Sequence, residues 1–305
     1  MREPRTRAVF SALLLGAIAV TTAAAQASDP KSIREGEAVL DSGIHIHYLQ
    51  AGEATSSKAI VFIPGWRLPA YLWRNQLTTF GPIARSIAID PRSQGESTKT
   101  VEGNSPENRA KDLDGLLHNL GVKKVVLVGW SQGAQDVAAY LERFGTSSVA
   151  GVVLVDTLVS IGSAEVEEHK ELSKVILTNA ARYAGNPAEF SQGFVRSLFQ
   201  QPHPELDFDK LTASTLRTPT DIGAAMLIMD IFGADRRAAL SKCNKPALII
   251  ASATSPLLEL QKEMAASMPG ATFLSVEGAG HALFVDQPAK FNDALRAFVL
   301  SINGW

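Results

Sequence analysis

Ser131 sits in the pentapeptide Gly129-Trp130-Ser131-Gln132-Gly133, directly after the apolar run 125–128 and ahead of the stretch AQDVAAYLERF. Flanking glycines permit a turn sharp enough to lift a serine hydroxyl above the end of a strand, which is where the GxSxG pattern has mechanical meaning. The chemistry expected there is nucleophilic, with a hydroxyl that gives its proton to a neighbouring base and attacks an electrophilic centre. Alone, the pentapeptide also describes a structural tight turn. The strand before it and the helix after it favour the nucleophile.

A nucleophilic serine needs a base. His281, in VEGAGHALFVDQP, follows the last strand-like run on a glycine-rich loop, and of the six histidines it is the one so placed. His45 and His47 are two residues apart on one strand face and read as solvated, since nothing nearby completes a metal site. His118 falls in an amphipathic helix, and His169 and His203 fall in a helical region; all three read as solvent-facing or insertion residues.

The elements that must position these groups alternate. KAIVFIPG, SIAID, KVVLVGW and VAGVVLVD are short β-branched runs separated by helical patterns, of which Leu113, Leu116, Leu117 and Leu120 form the plainest apolar stripe. Ser105-Pro106 supplies an N-cap and first-turn proline for that helix, and Gly121 ends it. Strands apolar throughout, divided by amphipathic helices, mean an α/β architecture with a mostly parallel sheet covered on both faces. Ahead of it, EGEAVLDSGIHIHYLQAGE reads as an exposed hairpin around Asp41-Ser42-Gly43. From 157 to 243 the segments are helical with proline-rich joints, and strand–helix alternation resumes with KPALIIAS and ATFLSVEG. The expected division is therefore a core of 28–156 and 244–305 with a helical cap at 157–243, inserted over the sheet edge where such sheets bind ligands.

With these motifs in place the chain resembles the α/β-hydrolase superfamily over residues 36 to 302. The resemblance is carried by VFIPGWRLPAYLWRNQL, DPRSQGEST, the GWSQG elbow and the terminal GxGHxxFxDQPxxF pattern. YLWRN is similar to the haloalkane dehalogenase and epoxide hydrolase branch. That branch carries an aspartate at the elbow, so Ser131 points instead to esterases, lactonases and cofactor-free haloperoxidase or perhydrolase relatives. By position the resemblance implies an oxyanion hole made by the backbone N–H groups of Trp66 and Gln132, with Trp66 also open to being a pocket wall. Asp90 and Arg92 are implied to brace their loop. Two positions depart from the family pattern. Pro64-Gly65 replaces the usual His-Gly, and the usual acid position after the penultimate strand is Ser255. A hydroxyl cannot hold an imidazolium as a carboxylate does. Asp156, at the end of the strand beside the elbow strand, is the favoured acid, as some branches place it; the order Ser131, Asp156, His281 also fits the superfamily. Glu259, a Ser–His dyad, and a merely structural Asp156 that caps the first insertion helix or bonds a loop amide remain as alternatives. Asp286 reads as the N-cap of the last helix.

The chain has 305 residues, 46% of them hydrophobic and 20% charged, enough apolar material for a large core. Residues 1–27 read as a cleaved secretory leader: Arg2, Arg5 and Arg7, an apolar run too short to span a bilayer, then Ala25-Gln26-Ala27. Removing it leaves 26 basic against 30 acidic residues and no basic patch, so nucleic acid is excluded as a partner. Cys243 is the single cysteine and reads as a structural thiol, so the expected secreted or periplasmic protein folds without an internal disulfide. The resulting expectation is an exported serine hydrolase acting on a small or medium neutral ester or lactone, with no metal or organic cofactor and no stable membrane insertion. Its expected apolar lining comprises Leu158, Val159, Phe194, Leu198, Phe199, Met226, Ile228, Met229 and Phe232. The alternatives are perhydrolysis or halogenation on the same residues, or a ligand-binding protein on a hydrolase scaffold.

Overall fold

The β-branched runs form strands in a computed structural model that describes residues 29–305; the expected leader lies outside the described residues. The strands are β1 (Arg34–Val39), β2 (His45–Ala51), β3 (Lys58–Ile63), β4 (Arg85–Ile89), β5 (Lys124–Trp130), β6 (Val149–Val155), β7 (Ala247–Ser252) and β8 (Ala271–Val276). They build one sheet in the order β1-β2-β4-β3-β5-β6-β7-β8, antiparallel at β1/β2 and β2/β4 and parallel from there on. Strands β3 to β7 are buried almost throughout, which is why they read as continuous apolar runs rather than alternating ones.

Successive side chains of a strand serve opposite layers. Ile63, Leu127, Leu154 and Ile249 pack on one face against helices α2 (Pro106–Asn119) and α3 (Gln132–Phe144). On the other face Phe62, Val128, Val155 and Ile250 meet α1 (Arg74–Phe80) and the C-terminal helix α12 (Pro288–Ser301). Trp73 anchors this second layer, stacked 3.7 Å from Phe284 and edge-on to Trp130. The leucine stripe behaves as its spacing predicts: Leu113, Leu116 and Leu117 are buried and Leu120 packs on the same core. Ser105 takes the N-cap position, but its hydroxyl bonds Asn108 rather than a helix N–H.

Between β6 and β7 the described chain runs through α4 (Ala164–Glu168), α5 (Lys170–Gly185), α6 (Pro187–Ser197), α7 (Phe208–Thr215), α8 (Thr220–Phe232) and α9 (Arg237–Ser241), with no strand among them. Its two ends meet at one antiparallel bridge, Ile161 with Asp235, reinforced by Arg236 N–H donating to Ser160 O at 2.9 Å. After β7 come α10 (Leu258–Ser267), β8 and the short α11 (Leu283–Asp286). Cys243 is buried in the core and unbridged.

Three expectations change. The N-terminal hairpin is exposed only at β1, because β2 is an interior strand between β1 and β4. His47 is not solvated. It is buried between two carboxylates, with Nδ1 2.7 Å from Asp90 and Nε2 3.0 Å from Glu35. Asp90 also takes the N–H groups of Ala70 and Glu96, so the loop after β4 is braced through His47 as well as through the Arg92–Asp112 pair. Nor does Asp286 cap α12, whose N-cap is Gln287. Asp286 instead accepts from the N–H groups of Gly280, Gln200 and Gln201 and lies 2.7 Å from Nε2 of His203, a buried residue tying the helical segment between β6 and β7 to the loop that carries His281.

Burial disfavours the charged form of His47, but Asp90 and Glu35 outweigh it, and its pKa is raised. A raised folded pKa contributes stability that is fully present below the unfolded value of about 6.5 and is lost as pH rises through the folded one. His47→Gln should therefore destabilise by about 1.5–3 kcal/mol at pH 6, the range for a hydrogen bond to a charged group, and by clearly less at pH 9. Denaturant midpoints at the two pH values check this; an equal loss at both contradicts it.

Candidate active site

Ser131 leaves the C-terminal end of β5 and precedes the first residue of α3 with φ of 53°, a left-handed conformation uncommon for a residue bearing a side chain. The elbow is tight enough to require its glycines. A Cβ on Gly129 would lie 2.6 Å from Gly133 O, and one on Gly133 would lie 2.5 Å from Ile63 O. Ser131 N–H donates to Val155 O at 3.1 Å, which ties the elbow to the end of β6.

Asp156 follows immediately on β6 and also has positive φ, 43°. Aspartate tolerates this region better than most residues, yet holding it there needs support from the surroundings. That support is visible: Oδ1 accepts from Ser252 N–H and from Gln261 Nε2, each at 3.1 Å, and Oδ2 lies 2.7 Å from Nδ1 of His281. Burial works against ionising Asp156, but the histidine, Gln261 and Ser252 outweigh it and hold the carboxyl below its usual range. His281 is fixed in turn, with its carbonyl accepting from Trp130 Nε1 at 2.9 Å and its ring 5.4 Å from the Trp130 ring.

The other candidates for the acid do not reach His281. Glu259 is exposed and pairs with Lys262 at 2.8 Å. Ser255 Oγ accepts from Gln261 Nε2 at 3.1 Å, so it touches the group that holds Asp156. Asp156 makes no helix cap: neither α4 nor α5 is capped by a side chain.

Gly65 backs directly onto the elbow, where a Cβ would stand 3.2 Å from Ser131 Cβ. The next residue, Trp66, and Gln132 at the start of α3 are the two expected oxyanion donors. Among the described residues neither backbone N–H has an acceptor. Ser131, His281, Asp156, Trp66 and Gln132 all border one cavity of about 190 Å3, otherwise walled mainly by apolar side chains.

The apolar lining differs from expectation. Leu158 and Val159 line the cavity as foreseen, joined by Leu172, Ile176, Leu227, Ile231 and Leu257. Met226 and Met229 pack instead with Trp66 and Tyr183, while Leu198, Phe194 and Phe199 pack on the body of the fold. Ile228 and Phe232 do not border the cavity. Helix α8 is apolar around most of its circumference, so periodicity could not say which side faces the cavity.

At the wall of the cavity, where Asp230 lines it, lies a charged cluster that sequence reasoning missed. Arg109 of α2 contacts Asp136 of α3 at 2.8 Å and Asp230 of α8 at 2.7 Å, with all three side chains buried. Burial pushes both carboxyls up against the pull of Arg109, Asp136 to about 6. These residues are up to 121 positions apart, and no local motif marks the partnership. Among the described residues no group of three or more His, Cys, Asp or Glu is arranged to hold a metal, and no helix is long and apolar enough to cross a membrane.

This sheet order, with a serine elbow after β5 and a histidine loop after β8, defines a hydrolase of the α/β class. The chain belongs to the alpha/beta hydrolase family, whose sequence profile matches residues 60–294. Its relatives include non-heme haloperoxidases and an esterase/perhydrolase, and epoxide hydrolases as well. It is 26% identical over 274 residues to the non-heme chloroperoxidase CPO-A1 of Kitasatospora aureofaciens, covering 84% of this chain and 96% of that one. The bifunctional esterase/perhydrolase DCH of Acinetobacter calcoaceticus is 32% identical over 124 residues, 40% of this chain and 45% of that one. Among solved structures, a bromoperoxidase from Bacillus anthracis superposes with a TM-score of 0.77 at 25% identity, over 88% of this chain and all of that one.

Proposed function

We propose that the protein is an exported serine hydrolase that cleaves small or medium neutral carboxylic esters or lactones through an acyl-enzyme. The observation that carries this reading is the 2.7 Å contact between Asp156 Oδ2 and His281 Nδ1 beside a serine at a strained elbow, all three on one cavity. Asp156 holds Nδ1 protonated, which leaves Nε2 free to act as the base. Ser131 Oγ attacks the substrate carbonyl as His281 Nε2 takes its proton. The Trp66 and Gln132 amides receive the oxyanion as its charge develops. Collapse of the tetrahedral intermediate breaks the C–O bond, and His281 returns the proton to the leaving alcohol. Water, deprotonated by His281, then attacks the acyl-enzyme and releases the acid and free Ser131.

The cavity size and the apolar side chains around it favour small, uncharged acyl and alcohol groups. Helices α4–α9 act as a cap over this cavity, and the segment 157–243 behaves as the inserted unit. Residues 1–27 direct export to the periplasm or medium, by their basic start, short apolar run and Ala25-Gln26-Ala27 end.

The names of the relatives favour a second reaction at the same residues. With hydrogen peroxide in place of water, the acyl-enzyme yields a peracid. Peroxide-dependent bromination of a dione in acetate buffer, compared with p-nitrophenyl acetate hydrolysis, separates the two.

Mass spectrometry after a fluorophosphonate probe tests the nucleophile. The expected result is one adduct, on Ser131, in the wild type and none in Ser131→Ala. A folded wild type that stays unlabelled would favour a ligand-binding protein on a hydrolase scaffold.

A further inference from the structure

Trp66 and Gln132 come from different parts of the core, yet their side chains end on the same helix of the insertion. The Trp66 indole Nε1 donates to the carbonyl of Gly223 at 2.8 Å, and Gln132 Nε2 donates to Asp230 Oδ2. Gly223 and Asp230 are seven residues apart on α8, two turns along one helical face. Leu227 and Ile231 extend that face into the cavity.

Both attachments are packed and bonded on several sides. The Trp66 ring is enclosed edge-on by Tyr183 and Phe194, 5.1 and 5.5 Å between centroids. The fully buried Arg67 guanidinium lies 4.0 Å over both the Trp66 and Tyr183 rings and donates to Ser191 Oγ at 3.0 Å. Arg67 itself sits at φ of 59°, so the backbone beside the Trp66 amide is held in a conformation it would not keep unaided. At the other end, Asp230 is locked by Arg109, which Asp136 of α3 also grips. A buried carboxylate held from two sides is a fixed acceptor, because releasing it would strand a charge away from water.

We infer that α8 is a strut that sets the positions of both oxyanion donors, with Asp230 and Gly223 as positioning residues that act through the side chains of Gln132 and Trp66. This rests on the acyl-enzyme reading above. Each donor amide belongs to the residue whose side chain the strut holds, so displacing α8 moves both amides away from the oxyanion. The insertion then contributes to rate as well as to the shape of the cavity.

Gln132→Met and Trp66→Phe test this, since each keeps the backbone N–H but removes the side-chain donor to α8. With p-nitrophenyl acetate each variant should lower kcat by roughly 10- to 100-fold, somewhat less than deleting an oxyanion donor outright, with KM changed less than about threefold. Affinity for a trifluoromethyl ketone, which places an oxyanion on the same donors, should fall by a similar factor. Affinity for the product alcohol should hold. A merely structural role would lower the melting temperature without favouring the ketone over the alcohol in its effect. Because the two variants cut the strut at separate ends, one that fails to fold leaves the other to decide. A variant that melts like the wild type and retains kcat and ketone affinity within about twofold overturns the strut. Wild type unlabelled at Ser131 by the fluorophosphonate removes the underlying reading instead, and the strut falls with it.

Discussion

Replacing Ser131 with alanine is expected to lower kcat for ester hydrolysis by on the order of 10⁶-fold, as for loss of a nucleophile whose base acts only through it. The change removes one oxygen at a position already held at positive φ. Alanine carries the same Cβ and adopts the same strained backbone, so the strain cancels between the two proteins and stability is expected to stay within about 0.5 kcal/mol of the wild type. Substrate should still bind, because the apolar side chains of the cavity are untouched. Steady-state kinetics together with equilibrium binding of an uncleaved substrate on the variant check this. Residual kcat within 100-fold of wild type would mean the hydroxyl does not form the acyl-enzyme, whatever the elbow geometry.

Asp156→Asn is expected to cost about 10⁴-fold in kcat. An amide can offer His281 Nδ1 an acceptor only if its NH2 faces the other way. Asp156 Oδ1 already accepts from Ser252 N–H and Gln261 Nε2, and both would then meet a donor. The network pushes the asparagine to turn its NH2 toward His281, where it binds the wrong tautomer and leaves Nε2 protonated. Ser255→Ala, measured alongside, should leave kcat within about threefold, because the Ser255 hydroxyl that is lost bonds Gln261 and the loop amide of Leu257 and does not reach His281. If Ser255→Ala proved the more damaging of the two, the acid assignment would be wrong.

The strand runs were legible because burial on both faces of a parallel sheet leaves continuous apolar segments. Ser131, Asp156 and His281 were legible because each directly follows a strand or stands on a loop after one, and strand ends at one sheet edge are neighbours. What stayed hidden depends on side chains from distant segments. Asp286 precedes a proline that starts a helix, a local pattern that resembles a cap, yet its partners are Gly280 and, from the helical segment between β6 and β7, Gln200, Gln201 and His203. His47 looked solvated because strand alternation does not reveal which neighbour covers a face; Asp90 does, from 43 residues away. Helix α8 is apolar on most sides, so its cavity face emerged only from packing.

The seam formed by Ile161 and Asp235 has an evolutionary consequence. A polypeptide that departs from and rejoins a scaffold at one paired position is a cassette: exchanging it for another of different length closes the same loop, and loop-closure entropy changes by only about 0.6 kcal/mol per doubling of length. Such an exchange would look like a change of substrate preference alone. In this enzyme the cassette also carries Gly223 and Asp230, so a graft without equivalents of both should inherit the core's serine and histidine but turn over slowly. Transplanted caps would then need matching at two hydrogen bonds before their new specificity could be expressed.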